Sequence, residues 1–275
     1  VLVATDPDAD RVGVEVLQKD GSYLNLSGNQ IGAIMAKYIL EAHKNAGTLP
    51  ENAALCKSIV STDLVTKIAE SYGATMFNVL TGFKFIAEKI QEFEEKHNHT
   101  YMMGFEESFG YLIKPFVRDK DAIQAVLVVA ELAAYYRSRG LTLADGIEEI
   151  YKEYGYYAEK TISVTLSGVD GAEQIKAIMA KFRDNGPKEF NNTAITVVED
   201  FKAQTSTATD GTVTALTTPP SDVLKYTLAD GSWIAVRPSG TEPKIKFYIA
   251  VVGENNEDSQ TKIANIEAEI NAFVK

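Results

Sequence analysis

The residues best equipped for chemistry fall in five short segments. Asp6-Pro7-Asp8-Ala9-Asp10-Arg11 places carboxylates at i, i+2 and i+4, a concentration of like charge that is costly unless a cation sits among them. On an extended strand the three would line one face at ~6.6 Å intervals, too far apart for one ion. The chain must therefore curl, and Pro7 and Ala9 are compatible with a tight loop. Oxygen-only ligands select hard cations such as Mg2+ or Ca2+. An EF-hand fails, because its sixth position needs Gly and its twelfth Glu, and here these are Arg11 and Leu17. A solvated acidic loop is the plain alternative.

Thr81-Gly82-Phe83-Lys84 lies between an expected strand and an expected helix, where a Gly can let a ligand approach exposed amides; an ordinary turn reads the same way. Gly104-Phe105-Glu106-Glu107-Ser108-Phe109-Gly110 sets two carboxylates and a hydroxyl in a Gly-bracketed loop after a strand. Glu and Ser suit sugar hydroxyls, since a carboxylate accepts and a hydroxyl both donates and accepts; a surface turn is the bland reading. Arg118-Asp119-Lys120-Asp121 precedes a long helix that Asp119 or Asp121 can cap. Lys120 is either a solvated charge or a group reaching into a cleft as acid, base or phosphate partner. Arg237-Pro238-Ser239-Gly240-Thr241-Glu242-Pro243 combines a forked guanidinium, two hydroxyls and a Gly, the chemistry of a phosphate cradle.

The elements that must position these segments follow from periodicity. Val1–Ala4 reads as a buried strand, and Val12, Val14 and Val16 alternate as a second. Helix 29–46, strand 55–60, helix 63–72, strand 74–79, helix 83–97, strand 101–105 and helices 119–139 and 143–154 then alternate, which favours a mainly parallel sheet covered by helices. Near Gly155 the order changes to strand 161–166, helix 172–183, strands 194–201, 223–228, 233–236 and 244–251, and a closing helix 257–274. The threonine-rich stretch 205–220 reads as loop. The expected fold class is a mixed α/β sheet domain followed by a smaller α+β C-terminal domain. His43, His97 and His99 have no partners at ligand spacing and read as surface residues.

Composition sets outer limits. The chain has 275 residues, 45% hydrophobic and 24% charged, with 27 basic and 38 acidic side chains and a net charge of −11, which argues against non-specific nucleic-acid binding but allows a local basic cleft for an anion. One cysteine, Cys56, points to a reducing compartment. No apolar run is long enough for a membrane helix and no signal peptide is evident, so a cytoplasmic location is expected. The abrupt apolar start suggests a fragment of something longer.

Taken in order, Asp6–Arg11, Thr81–Lys84, Phe105–Gly110, Arg118–Asp121 and Arg237–Pro243 resemble the motifs of the α-D-phosphohexomutase family, over nearly the whole chain. The resemblance implies four domains around one cleft, and a reaction that moves phosphate between the 1- and 6-positions of a hexose through a phosphoserine and a bisphosphate intermediate. Asp6, Asp8 and Asp10 would ligate Mg2+, with Arg11 beside the transferred phosphoryl. Glu106 and Ser108, with Thr81 and Gly82 nearby, would hold the sugar. Arg237, Ser239, Gly240 and Thr241 would hold the non-reacting phosphate, and Lys120 would serve as general acid or base. Residues 1–28 would be the end of domain two with its metal loop, 29–155 the sugar-binding domain three, and 156–275 the phosphate-binding domain four, with a hinge near Gly155.

The family's Ser-His loop has no counterpart, since neither Ser58 nor Ser61 is followed by His. The nucleophile is therefore expected on N-terminal domains of the same polypeptide. Phe83 and Lys84 after Thr-Gly, with Glu-Glu-Ser-Phe-Gly, lean toward a glucose phosphate. A phosphomannomutase, a phosphopentomutase or a non-catalytic phosphosugar-binding module are the alternatives.

Overall fold

The structure, a computed structural model, describes residues 1–166, 170–239 and 242–274. It divides into two compact units, Val1–Tyr154 and Gly155–Lys275.

The first unit opens with an antiparallel sheet of β1 (Leu2–Thr5), β2 (Val12–Leu17) and β3 (Tyr23–Leu26), with β2 in the middle. The alternation read in β2 is real: Val12, Val14 and Val16 are buried while Gly13 and Leu17 are exposed. The expectation of a buried strand at Val1–Ala4 is not met, because all of β1 is exposed. Its run of apolar side chains lies on an edge strand that, among the described residues, pairs only with β2, so it shares a ladder without sharing a core.

An α/β layer follows: α1 (Gly28–Asn45), β4 (Ala53–Ser58), α2 (Leu64–Ser71), β5 (Thr75–Val79), α3 (Phe83–Lys96), β6 (Thr100–Glu106), β7 (Gly110–Leu112), α4 (Ala122–Ser138) and α5 (Leu143–Tyr154). The strand order is β5-β4-β6-β7, parallel except for the antiparallel β7. β4 is buried at every residue, as a central strand covered on both faces must be. The helix starts are set by local chemistry. Ser27 and Gln30 form a reciprocal capping box on α1. Asp121 caps α4 by accepting from the amides of Ile123 and Gln124, so that helix begins three residues later than its apolar pattern suggests.

The second unit contains β8 (Tyr156–Thr165), α6 (Gly171–Asn185), β9 (Glu189–Phe190), β10 (Thr193–Asp200), β11 (Thr205–Ala208), β12 (Val213–Ala215), β13 (Leu224–Leu228), β14 (Trp233–Pro238), β15 (Lys244–Gly253) and α7 (Asn256–Val274). The antiparallel sheet runs β12-β11-β10-β13-β14-β15-β8, with β9 paired to β10. Residues of α6 and α7, among them Met179, Phe182, Ile263 and Ile270, share one core with Ile234, Val236, Phe247 and Ile249 of the sheet.

Two sequence expectations change here. β8 starts five residues before Thr161, because β15 pairs with it along its whole length. The stretch read as loop from 205 to 220 contains the β11–β12 hairpin, turned at Asp210-Gly211, where Gly211 has φ +85° and Asp210 accepts from the Thr212 amide. Threonine favours strand through its branched Cβ. β12 is exposed on every residue, so it carries no apolar alternation that periodicity could detect.

Candidate functional site

The Asp6–Arg11 loop lies between β1 and β2 and is curled, as three converging carboxylates require. Ala9 takes φ +56°, a left-handed conformation that costs a non-glycine residue about 1–3 kcal/mol and is held by the surrounding hydrogen bonds. The Ala9 amide donates to the Asp6 carbonyl at 3.0 Å. The amides of Asp10 and Arg11 donate to Asp6 Oδ1 at 3.1 and 3.0 Å. Oxygens of Asp6, Asp8 and Asp10 come within 4.8 Å of one another, against the ~6.6 Å spacing of an extended strand.

Cations already border this cluster. Arg11 Nε sits 2.7 Å from Asp6 Oδ2 and 3.4 Å from Asp10 Oδ1, and Lys120 Nζ lies 3.1 Å from Asp10 Oδ2. Burial works to raise the Asp6 pKa, but the Arg11 amide and guanidinium and the Asp10 amide outweigh it and hold the carboxyl at about 2. Asp10 Oδ1 is buried with no hydrogen-bond donor among the described residues. Three converging carboxylates, one of whose oxygens makes no hydrogen bond, fit a hard divalent cation such as Mg2+ or Ca2+.

The other segments of this unit gather at the carboxyl ends of the parallel strands, where ligands of open α/β sheets bind. Thr81 and Gly82 follow β5, and Glu106 ends β6. Backbone contacts tie the Asp6–Arg11 segment to the Phe105–Gly110 loop: the Val12 amide donates to the Phe109 carbonyl at 3.1 Å, and Arg11 bridges Gly110. The Ala122 amide donates to the Ala9 carbonyl at 3.0 Å, which adds the start of α4.

Glu106 and Ser108 are not alike in their setting. Ser108 is exposed, while Glu106 is 6% exposed and accepts from the Gly82 amide at 2.6 Å. Glu106 thus satisfies one of the orphan donors at the start of α3 and joins the Thr-Gly turn to the sugar loop. Gly82 has φ +124°, so a side chain there would be strained. Thr81 Oγ1 is buried without a partner among the described residues.

Lys120 is the common member. Its stem fills the space over Gly110, where an added Cβ would stand 2.2 Å from Lys120 Cδ. Its ammonium is 5.5 Å from the Phe83 ring centroid and 2.8 Å from Asp119 Oδ1. Burial alone would lower its pKa, but the bonds to Asp119 and Asp10 prevail and raise it. Lys120 is therefore held as a cation.

In the second unit, Arg237 and Ser239 lie at the end of β14, both half-buried. The Ser239 amide donates to the Lys244 carbonyl at 2.7 Å, closing the loop, and the Lys244 ammonium pairs with Glu242 at 3.0 Å. Gly240 and Thr241, the other expected phosphate-binding residues, lie outside the described residues.

Sequence reasoning missed a buried polar network behind the Phe105–Gly110 loop. Lys57 is fully buried, and its ammonium reaches the Ser61 carbonyl at 3.1 Å and Asp63 Oδ1 at 2.8 Å. Ser58 and Ser61, also fully buried, contact Glu107. Only the polar residues interrupting an apolar strand and its exit could have marked it. His99, read as a surface residue, is half-buried against Phe77 and Phe93, with ring centroids 4.9 and 5.1 Å away. Its ring is enough of an apolar surface to pack there.

A parallel-centred α/β unit with an antiparallel last strand, followed by an antiparallel α+β unit, is the class of protein that the fold defines. The family description "Phosphoglucomutase/phosphomannomutase, alpha/beta/alpha domain III" matches residues 27–154, and "Phosphoglucomutase/phosphomannomutase, C-terminal domain" matches residues 170–270. The chain belongs to this phosphoglucomutase/phosphomannomutase family. A phosphoglucomutase of Staphylococcus aureus (strain bovine RF122 / ET3-1) is 38% identical over 264 residues, covering 96% of this chain and 47% of that protein. One of Staphylococcus haemolyticus (strain JCSC1435) is 37% identical over 266 residues, with the same coverages. The chain therefore spans about half the length of the curated relatives it matches.

Among solved structures, parafusin, a phosphoglucomutase from Paramecium in its open form, superposes with a TM-score of 0.67 at 19% identity, covering 99% of this chain and 44% of that one. A phosphoglucomutase/phosphomannomutase family protein from Burkholderia thailandensis gives 0.56 at 15% identity, covering 98% and 46%. These likenesses establish a shared fold.

Proposed function

We propose that this chain is the C-terminal part of a Mg2+-dependent phosphoglucomutase. The whole protein would interconvert glucose 1-phosphate and glucose 6-phosphate through a phosphoserine and a bisphosphate intermediate, with the serine carried on preceding domains of the same polypeptide. The observation that carries this reading is the convergence of Asp6, Asp8 and Asp10 oxygens within 4.8 Å, on a loop hydrogen-bonded to the Phe109 carbonyl of the sugar loop. Curated relatives named phosphoglucomutase support the choice of reaction. The family description also spans phosphomannomutases, so mannose phosphate is the natural comparison substrate, and a pentose phosphate or simple phosphosugar binding are the further alternatives.

When bound, a Mg2+ ion held by the three aspartates would neutralise charge on phosphoryl oxygens. The chain's own residues supply the rest. Arg11, already against Asp6 and Asp10, would turn its fork to the transferred phosphoryl. Lys120, 3.1 Å from Asp10 and 2.8 Å from Asp119, would stabilise charge at the sugar oxygen and serve there as general acid or base. Glu106 would accept from sugar hydroxyls, with exposed Ser108 and the unpartnered Thr81 hydroxyl completing the donors and acceptors. Arg237, Ser239, Gly240 and Thr241 would take the non-reacting phosphate, a hold that fixes the sugar while leaving its orientation reversible.

Calorimetric titration of glucose 1-phosphate and glucose 6-phosphate into this chain, with and without Mg2+, tests the reading. Both esters should bind, more tightly with Mg2+, and Arg237→Ala should weaken both. Absence of heat with either ester, or an indifferent Arg237→Ala, would overturn it. Mutase turnover by the chain alone would overturn the assignment of the nucleophile to preceding domains.

A further inference from the structure

Glu106 and Glu107 are chain neighbours that turn in opposite directions. Glu106 reaches the Gly82 amide. Glu107 turns toward the end of β4, where its Oε2 accepts from Ser58 Oγ at 3.1 Å and Ser61 Oγ at 3.4 Å, and its amide donates back to Ser61 Oγ at 3.1 Å. The two serine oxygens are themselves 2.8 Å apart. Both serines are completely buried, so their hydroxyls have only protein partners to satisfy them.

The serines stand on a turn that is fixed from several sides. The Ser61 amide donates to the Ser58 carbonyl at 3.0 Å, and the Ile59 amide to the Val79 carbonyl at 2.8 Å. The buried Lys57 ammonium holds the Ser61 carbonyl from below. From the other side, Gly28 lies so close to the loop that an added Cβ would stand 2.0 Å from the Glu107 carbonyl oxygen. Glu107 is thus clamped between a fixed turn and the start of α1, while of the residues on either side of it Glu106 is buried on the Gly82 amide and Ser108 is exposed.

We infer that Glu107 is a positioning residue for sugar recognition. Its carboxylate on the Ser58–Ser61 pair sets the register of the loop, and so the places from which Glu106 and Ser108 meet a hexose. This inference rests on the reading of Glu106 and Ser108 as sugar ligands. A carboxylate accepting two hydroxyls makes charge-assisted bonds, stronger than neutral ones, and loss of such a support displaces binding groups without removing them.

The test is calorimetry on the 275-residue chain with glucose 1-phosphate, and with inorganic phosphate as a probe that needs no sugar contact. Glu107→Ala and the Ser58→Ala/Ser61→Ala double variant should each weaken glucose 1-phosphate on the order of tenfold while inorganic phosphate binds as in the parent. Glu107→Gln, which keeps the shape and one acceptor, should recover part of the loss. Far-UV circular dichroism and the melting temperature report whether each variant is folded; if Glu107→Ala unfolds, Glu107→Gln against Glu107→Asp gives the same comparison with a shorter reach.

Glu106→Ala separates the two levels. If it weakens the sugar phosphate while folded Glu107 and serine variants bind within twofold of the parent, the positioning role is overturned and the sugar-loop reading stands. If Glu106→Ala also changes nothing, or the parent binds no glucose 1-phosphate, the sugar-loop reading fails and the inference falls with it. Equal losses for inorganic phosphate and the sugar ester would mark a general structural role and overturn the inference.

Discussion

Lys120 Nζ lies 3.1 Å from Asp10 Oδ2, which joins the first residues of the chain to the residue before the cap of α4. The pair is more than a surface ion pair, because the Lys120 stem occupies the gap that Gly110 leaves and its ammonium also bonds Asp119. One side chain therefore links the Asp6–Arg11 loop, the Phe105–Gly110 loop and the start of α4. Removing it releases Asp10 as well as deleting a charge.

Lys120→Ala should raise the affinity of the aspartate loop for Mg2+, since a competing cation is lost, and should lower the affinity for a sugar phosphate. The two titrations move in opposite directions, which a general loss of structure could not produce.

Gly110→Ala should reproduce part of that disruption sterically. A methyl 2.2 Å from Lys120 Cδ and 2.8 Å from Cγ meets the middle of the stem and not its free end. Overpacking of this kind costs about 1–3 kcal/mol, visible as a lower melting temperature. A variant as stable as the parent would show that Lys120 leaves the gap without cost.

Asp10→Asn should weaken Mg2+ binding on the order of tenfold, because it takes a charge from the cluster and leaves Lys120 and Arg11 with fewer partners. Direct titration of the ion reads this without any turnover. An unchanged affinity would remove Asp10 from the ligand set.

The second unit should lose stability in acid through Asp200. Burial works to raise its pKa, but the Arg183 guanidinium at 2.7 Å and the Ala203 and Lys202 amides outweigh it and lower the pKa below the ordinary 3.8. A depressed folded-state pKa contributes stability that is fully present above 3.8 and is lost as pH falls through the folded value. The melting temperature of the unit should thus fall below about pH 4, and Asp200→Asn should flatten that slope. Parallel slopes in the two proteins would count against it.

Cys56 should resist alkylation in the native chain. It is fully buried in β4, and desolvation pushes its thiol up to about 12, so little thiolate forms near neutrality. Iodoacetamide should label it only after denaturation, as intact-mass measurement would record.

What the sequence determined by itself was mostly local. Three aspartates at alternate positions called for a curl if they were to share one cation, Asp119 or Asp121 offered a cap for the long helix, and the shift from alternating elements to successive strands placed a boundary near Gly155. These follow from charge, capping and periodicity, which act within a few residues. The β11–β12 hairpin escaped notice because an exposed edge needs no apolar pattern, and β1 was misjudged because burial depends on neighbours that a strand's own residues do not name.

The tertiary structure alone decided which polar groups meet. Nothing in the spacing of Asp10 and Lys120, of Gly82 and Glu106, or of Ser61 and Glu107 foretells that each pair lies within about 3 Å. The last two exist because parallel strands bring the ends of β4, β5 and β6 together, and the first because the loop between β1 and β2 meets the start of α4.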